Sequence, residues 1–213
     1  MNVAPKLGPD FALENADAKD LGELKAQAEH CTRCDLYKYA TQLVFGEGPA
    51  TAEIVLVGEQ PGDKEDLAGK PFVGPAGLLL DRCLEEAGVD RSRCYVTNAV
   101  KHFKFEQRGK RRLHSKPNAG EIQRCAWWLG AELEILQPKL VVALGATALY
   151  SLLGPKVKLT PERGHVLRLA NHPPVLVTIH PSYLLRIRHE DDALANRKKF
   201  VLDLEQAAAF QST

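Results

Sequence analysis

The sequence predicts an α/β protein with three layers, in which a central four-stranded parallel sheet lies between helices. Four short runs rich in β-branched residues have the character of buried strands, at residues 53–58, 93–98, 139–145 and 174–181. Segments with helical periodicity separate these runs. An alternation of strands and helices indicates a parallel sheet with right-handed crossovers, so the fold class follows from the order of the segments.

The helices are predicted between and after the strands, at residues 75–88, 119–136, 146–153 and 191–209. The first has an apolar face formed by Leu79, Cys83, Leu84 and Ala87, and Gly88 is a stop signal. The last is expected to pack onto the sheet through Leu194, Val201 and Leu204. Each helix therefore has a face that the sheet can bury.

Length and composition favour one domain over residues 1–213, because 45% of the 213 residues are hydrophobic and no low-complexity segment is evident. Residues 1–18 read as a loosely ordered arm. No apolar run is long enough to span a bilayer, and the first twenty residues do not resemble a secretory signal. We expect a cytoplasmic protein, not bound to membranes, and nothing in the sequence argues for more than a monomer.

Positive charge is concentrated in one segment of a chain whose formal net charge is only +1. Residues 101–117 contain seven Lys or Arg and the single acidic residue Glu106. Within this segment, RGKRRLHSKP carries five basic side chains and His114. Such a run is either a solvated loop or a surface that binds nucleic acid.

Polar and flexible residues follow each predicted strand. The first strand leads into GEQPGDKED, the second ends at Asn98, the third ends at Gly145, and the fourth leads into His180-Pro181-Ser182. Ligands of open parallel sheets bind beyond the carboxyl ends of the strands. These segments are therefore expected to converge on one pocket.

Three residues of this pocket have side-chain or backbone properties suited to a planar base. Gly58 opens a turn through which the backbone can approach a ligand, although the spacing of a phosphate-binding loop is absent. Phe72 is either a loop anchor or an aromatic surface for stacking. The amide of Asn98 either caps a turn or offers the donor and acceptor that match the N3–H and O4 edge of uracil.

The five cysteines favour a metal centre over disulfides, because their number is odd and Cys31 and Cys34 form a CTRC motif. Cys125 supplies a third thiol on a predicted helix. Three residues compete for a fourth ligand position, Cys83, Cys94 and His102.

The segments GEQPGDKEDLAGKPFVGPAG, VTNAVK, KRRLH and HPS together resemble the uracil-DNA glycosylase superfamily. The resemblance is to its iron–sulfur UdgX branch, which is similar to the family-four enzymes, and it extends from about Cys31 to near the C terminus. It implies a four-stranded parallel sheet and a uracil-containing DNA substrate, with the uracil flipped out of the base stack. It further implies that Phe72 stacks on the uracil, that Asn98 binds its Watson–Crick edge, and that His180 stabilises the departing anion.

Departures from the wider superfamily give His114 its implied role. Many members have a water-activating Asp where this chain has Gln60, and the family-four enzymes lack the insertion that holds KRRLH. In the UdgX branch, the resemblance implies that His114 attacks C1′ of the deoxyribose and forms a covalent adduct. Glu59 is expected to accept the ring N–H of His114, and Asp63 to organise the same loop.

The resemblance also implies a 4Fe-4S cluster and a DNA-binding surface. The implied cluster ligands are Cys31, Cys34, His102 and Cys125, with His102 at a position where family-four enzymes have Cys. Leu184 or Leu185 is expected to fill the vacated base stack. The residues expected to contact DNA are Lys110, Arg111, Arg112, Ser182 and Arg186, with Arg188 as an alternative to Arg186.

Two other functions fit the sequence. One is a hydrolytic iron–sulfur uracil-DNA glycosylase in which KRRLH only holds DNA and water attacks the sugar. The other is a metal-bearing DNA-binding module whose pocket is degenerate, which would bind DNA in a salt-sensitive way and release no base.

Overall fold

The computed structural model describes residues 18–168 and 172–211. The predicted N-terminal arm, residues 1–18, lies outside the described residues except for Ala18. Seven strands are present in the described ranges: β1 (Ile54–Gly58), β2 (Cys94–Asn98), β3 (Phe105–Arg108), β4 (Arg111–His114), β5 (Leu140–Leu144), β6 (Val166–Leu167) and β7 (Val175–Thr178).

The helices of the described ranges follow the predicted order, with four additional short ones. They are α1 (Leu21–Ala28), α2 (Asp63–Ala68), α3 (Pro75–Glu86), α4 (Ala119–Leu136), α5 (Ala146–Leu153), α6 (Leu159–Glu162), α7 (Pro181–Leu184) and α8 (Glu190–Ala208). Helix α4 begins with a capping box, in which Asn118 and Glu121 each satisfy the other's backbone N–H. Two 3₁₀ turns are also formed, Asp35–Lys38 and Arg91–Arg93.

The main sheet has five strands in the order β2-β1-β5-β7-β6. Its first four strands are parallel, which confirms the four predicted strands. The predicted strand number was too small by one, because β6 adds an antiparallel edge strand beside β7. That strand contains only Val166 and Leu167, too few residues to give a periodic signal.

Side chains of the parallel strands alternate between two cores. Ile54 and Leu56 of β1 face the core beneath α3 and α8, whereas Val55 and Val57 face the core beneath α4 and α5. Both faces of the sheet are therefore covered by helices, which is why the strands are apolar along their whole length. This arrangement confirms the three-layer α/β class.

One predicted contact of helix α8 is wrong. Leu204 is buried and Val201 packs against the same core, but Leu194 is 50% exposed. Leu194 lies in the first turns of the helix, before the stretch around Phe200 where α8 reaches the core.

The basic segment forms a hairpin and not the predicted loop. Strands β3 and β4 pair antiparallel, with Phe105 opposite His114 and Arg108 opposite Arg111. The two-residue turn between them begins with Gly109, whose φ of 59° suits a hairpin turn with glycine in its first position. Gly109 was a turn signal, but the flanking runs FEQR and RRLH lack the apolar alternation that is typical of strands.

Within residues 18–168 and 172–211, no helix is long and apolar enough to cross a membrane.

Candidate active site

The carboxyl ends of the four parallel strands open into one cavity of about 1120 Å³. This confirms the expected convergence of the segments that follow the strands. Nine of the predicted site residues line the cavity: Glu59, Gln60, Asp63, Phe72, Asn98, His114, His180, Ser182 and Arg186. Lys110, Arg111, Arg112 and Leu184 are not among the lining residues.

Gly58 provides the space in which Phe72 and Asn98 approach each other. A Cβ atom on Gly58 would lie 2.4 Å from Oδ1 of Asn98 and 2.7 Å from Cζ of Phe72. Asn98 is 3% exposed and is the register partner of Gly58 on the neighbouring strand. An amide edge and an aromatic ring therefore meet over a residue without a side chain, and both groups line the cavity. We call this corner of the cavity the base slot.

Phe72 is held by the backbone around it. Its φ of 58° is in the left-handed region, which is unusual for a residue with a side chain. The carbonyl of Phe72 lies against Gly77, where any Cβ would be only 1.6 Å from the oxygen. A strained residue packed this tightly is a mark of a functional site, and it fixes the aromatic ring at the cavity wall.

His180 is poised as a neutral hydrogen-bond donor. Its Nδ1 accepts the backbone N–H of Ser182 at 3.2 Å, so the proton of the neutral ring is assigned to Nε2. Burial, followed by the charges of His114 and Arg186, lowers the pKa of His180 to about 4. Its ring lies 6.1 Å from the ring of Phe72. The base slot therefore has an uncharged imidazole at one end.

Glu59 joins two elements of the site. One carboxylate oxygen lies 3.3 Å from Nε2 of His114, and the other accepts a short hydrogen bond from the hydroxyl of Thr147. Thr147 is 2% exposed and lies in the first turn of α5, directly after β5. Sequence reasoning missed this residue, although its place just beyond a strand end was a usable signal. The expected pairing of Glu59 with His114 is present.

Gln60 fastens the open end of the hairpin. Its side-chain N–H groups donate to the carbonyls of Lys104 at 3.0 Å and Ser115 at 3.1 Å, and its oxygen accepts the N–H of Lys104 at 3.1 Å. The residue is 7% exposed. In place of a general base, this chain therefore has an amide that ties β3 and β4 to the turn after β1.

The prediction that Arg112 binds DNA phosphate requires correction. Its guanidinium is already paired with Asp63 and with the fully buried Asp66, at 2.6 Å in each case. It also stacks over Phe103 and Phe105, at 5.4 and 5.2 Å from the ring centroids. Arg112 therefore holds the hairpin against α2, and this pairing is also how Asp63 contributes to the loop.

The two leucines predicted as alternatives for filling the base stack have different environments. Leu184 is 6% exposed and packs in the core beneath α3 and α8, whereas the neighbouring Leu185 is 52% exposed and lines the cavity. Lys110 and Arg111 are exposed at the turn of the hairpin, outside the cavity. Among the described residues, exposed positive side chains that line the cavity include Lys64, Lys116 and Arg186.

The thiols of the CTRC motif and of Cys125 belong to one apolar cluster beside α1 and α4. Two of them accept N–H hydrogen bonds: Cys31 from the indole of Trp128 and Cys125 from the backbone of Lys101, both at 3.1 Å. Cys31 and His102 line a second cavity of about 360 Å³. Within the described residues, no three His, Cys, Asp or Glu side chains are grouped closely enough to hold one metal ion.

The other two cysteines lie elsewhere. Cys83 and Cys94 belong to the core beneath α3 and α8, and the Cys94 thiol lies 3.4 Å from the carbonyl of Asp90. Burial raises the pKa of Cys94 to about 11. Of the three candidates for a fourth ligand, only His102 borders the cavity that Cys31 also lines.

Comparison with known protein families identifies the chain. The family model of the uracil DNA glycosylase superfamily matches residues 45–205. The chain belongs to the uracil-DNA glycosylase superfamily. The matched range contains the hairpin and all residues that line the large cavity, whereas Cys31 and Cys34 precede it.

Similar members of the superfamily carry the name type-4 uracil-DNA glycosylase. The protein of Thermotoga maritima is 40% identical over 185 residues, which cover 86% of this chain and 91% of that protein. The protein of Pyrobaculum aerophilum is 37% identical over 174 residues, which cover 78% of this chain and 85% of that protein. A DNA polymerase of Bacillus phage SP01 is 29% identical over 165 residues, only 16% of its length.

Proposed function

We propose that this protein excises uracil from DNA by breaking the N-glycosidic bond of a flipped-out nucleotide. The observation that carries the proposal is the slot at Gly58, where the Asn98 amide and the Phe72 ring meet. Membership of the superfamily and the names of the relatives support the same substrate. A base inside a duplex is inaccessible, so flipping must precede the reaction.

In this proposal, the slot recognises uracil by stacking and by its hydrogen-bonding edge. The Phe72 ring stacks on the base, and the Asn98 amide offers an acceptor to N3–H and a donor to O4. Bond cleavage leaves an electron pair on N1 of uracil, and negative charge spreads to the carbonyl oxygens O2 and O4. The Nε2–H of neutral His180 is suited to donate to O2 as that charge grows.

The remaining part of the reaction is the fate of the sugar cation. Gln60 cannot accept a proton as an Asp would, and its amide is already engaged with the hairpin. His114 lines the same cavity, and one of its ring nitrogens is directed at Glu59. In the proposed step, the lone pair of the other ring nitrogen attacks C1′, a bond forms, and the imidazole N–H proton passes toward Glu59. The product is a covalent protein–DNA adduct, as in the UdgX branch.

A second candidate is hydrolytic excision, in which water attacks C1′ and an abasic site is released. The names of the relatives favour this candidate, because they carry the type-4 designation and not that of a self-trapping enzyme. Two features favour the adduct. Glu59 is paired with His114, and Gln60 stands where many superfamily members have a water-activating Asp. The two candidates share every step up to the departure of uracil.

The experiment that separates them uses a labelled oligonucleotide containing one uracil, with a thymine oligonucleotide as control. After reaction and heating in SDS, a uracil-dependent band at the summed mass of protein and DNA supports the adduct. Free uracil with an alkali-labile DNA site and no retarded band supports hydrolysis. If the protein releases no uracil and forms no adduct, the proposed function is refuted and the DNA-binding module is favoured.

A variant identifies the attacking group. His114→Gly removes the proposed nucleophile and leaves the base slot intact, so uracil release should persist while the retarded band disappears. His165→Gly is the matched control, because His165 does not line the cavity. Undiminished cross-linking by His114→Gly would contradict the role of His114.

The proposal includes a 4Fe-4S cluster held by Cys31, Cys34, His102 and Cys125. The donor chemistry fits, since thiolates are soft ligands suited to iron–sulfur clusters and imidazole is a suitable ligand for iron. The N–H bonds to Cys31 and Cys125 would orient the sulfurs. When bound, the cluster would supply structural cross-linking of the CTRC segment to α4.

The cluster is tested by absorbance and metal analysis of the purified protein. A brown solution absorbing broadly near 400 nm, with iron and sulfide, is the expected result. Cys125→Ala should lose the iron, whereas the control Cys94→Ala should retain it. A colourless protein that contains zinc would refute the cluster.

A further inference from the structure

A fully buried ion pair lies directly beneath the base slot. The ammonium of Lys101 is 2.6 Å from a carboxylate oxygen of Glu132, and both side chains are 0% exposed. Lys101 follows β2 by three residues, and Glu132 lies in the second turn of α4 from its C-terminal end. Neither residue touches the cavity, and neither was singled out by sequence reasoning.

All three protons of the Lys101 ammonium have acceptors near the end of β2. The acceptors are the hydroxyl of Thr97 at 2.6 Å, the backbone carbonyl of Asn98 at 3.0 Å, and Glu132. The carboxylate of Glu132 in turn accepts from the hydroxyls of Tyr95 and Thr97, at 3.0–3.1 Å. Every strong donor and acceptor of this network is therefore satisfied without water.

Stability alone is a poor explanation for such a pair. Removing two charges from water is costly, and apolar residues of similar volume often stabilise a protein equally well or better. The network does have one geometric consequence at the site, because its ammonium holds the carbonyl of Asn98. The next two residues continue the strand pairing, with Ala99 donating to Gly58 at 2.9 Å and Val100 donating to Glu59 at 3.0 Å. The backbone of Asn98 is thus fixed from the interior and from the neighbouring strand.

The same residue also contacts the proposed cluster site through its main chain. The N–H of Lys101 donates to the sulfur of Cys125, seven residues before Glu132 on the same helix. Seven residues are about two helical turns, so Cys125 and Glu132 lie on one face of α4. Lys101 therefore connects that face of α4, through both its main chain and its side chain, to the strand end that carries Asn98.

We propose that Lys101, paired with Glu132, is a positioning residue that fixes the Asn98 carbonyl and thereby aims the Asn98 amide at the base. It determines base recognition without touching the base. The inference rests on the proposed function, because the slot must hold uracil for the aim of the amide to matter. It assigns to the buried pair a role in selectivity that a purely structural ion pair would not have.

The test removes both charges together. Lys101→Met alone would leave the Glu132 carboxylate buried without a partner, so it is combined with Glu132→Gln, which keeps an acceptor for Tyr95 and Thr97. Lys139→Met with Glu53→Gln is the matched control, because that pair, at 2.8 Å, lies at the amino ends of the strands, away from the cavity. Folding of both double variants is checked by thermal unfolding.

Three readouts separate positioning from stability. Binding of free uracil, followed by the NMR signals of the Asn98 side-chain amide, should weaken at least 10-fold in the Lys101→Met, Glu132→Gln variant. The single-turnover rate of uracil release should fall by about 10- to 100-fold, while affinity for thymine-containing DNA stays within about 3-fold. The control variant should match the wild type in all three measurements.

Opposite results would overturn the inference. Unchanged uracil binding and release in the folded double variant would mean that the pair is only structural. Wild-type protein that releases no uracil would instead refute the proposed function, so the two failures are distinguishable. If Lys101→Met, Glu132→Gln does not fold, Lys101→Gln with Glu132→Gln provides a neutral hydrogen-bonding pair on which the same readouts decide the outcome.

Discussion

Replacing Gly58 by Ala adds one methyl group at the narrowest part of the base slot. The new Cβ would lie 2.4 Å from Oδ1 of Asn98 and 2.7 Å from Cζ of Phe72. An ordinary contact between such atoms is near 3.5 Å, so the Asn98 amide, the Phe72 ring or both must move by about 1 Å. Gly58 is the last residue of β1, and its carbonyl accepts the N–H of Ala99, so its backbone cannot withdraw without breaking the pairing with β2.

The expected cost is larger for catalysis than for folding. A displacement of about 1 Å in groups that position a substrate lowers rates by about 100-fold. Overpacking of this kind destabilises a protein by about 1–3 kcal/mol. For a chain of this length, each kcal/mol lowers the midpoint of thermal unfolding by about 2–4 °C. The variant should therefore remain folded at 25 °C while losing most of its uracil release.

The assay is single-turnover release of uracil from a labelled oligonucleotide, with thermal unfolding measured in parallel. Gly120→Ala is the matched control, because the same methyl group there meets only Oδ1 of Asn118 at 3.4 Å, an ordinary contact. It should release uracil at the wild-type rate. Uracil release by Gly58→Ala within about 3-fold of the wild type would refute the assignment of the base slot.

Three further predictions concern groups around the slot. Acidification from pH 6.5 to 4 should lower the free energy of unfolding, because in that window the unfolded chain binds a proton at His180 that the folded protein does not. The contribution of His180 to this loss is at most on the order of 3 kcal/mol. His180→Asn should reduce this loss in thermal unfolding at each pH, and an unchanged pH dependence would contradict the shifted pKa. Arg112→Ala should detach the hairpin, lowering both the unfolding temperature and the yield of adduct, whereas Arg111→Ala should leave folding unchanged and reduce the salt dependence of DNA binding by about one charge. Equal effects of the two substitutions in unfolding and salt-titration measurements would refute the distinction. Thr147→Val should slow adduct formation about 10-fold by releasing one oxygen of Glu59, and Thr147→Ser should restore it; a fully active Val variant in single-turnover kinetics would remove Thr147 from the site.

Local patterns were sufficient for the strands and for the edge at which the site lies. β-branched runs and alternating helices predicted the four parallel strands, and the direction of a parallel sheet then required Glu59, Asn98 and His180 to meet. The hairpin was missed because its strands are short and highly charged and carry no apolar alternation. Strand β6 was missed because two residues carry no period.

The partners of individual side chains could not be predicted, since they depend on residues far apart in the sequence. Arg112 reads as a phosphate contact within a basic run, yet it pairs with Asp66, 46 positions away, and stacks on two phenylalanines. Leu184 and Leu185 have the same hydrophobic character, and only the start of the short helix α7 decides which of them is buried.

Local periodicity and the polarity of a parallel sheet were sufficient to predict the layer order, the strand ends that carry the chemistry, and the residue types available for a base slot. Tertiary packing determines which charged side chains form ion pairs within the protein, as Arg112 does with Asp66. It also determines how closely Asn98 and Phe72 approach each other at Gly58. The structure also revealed that Lys101 and Glu132 meet beneath the slot. The physical reason is that burial and pairing of polar groups depend on distances between segments, and these distances exist only after the sheet and helices have packed.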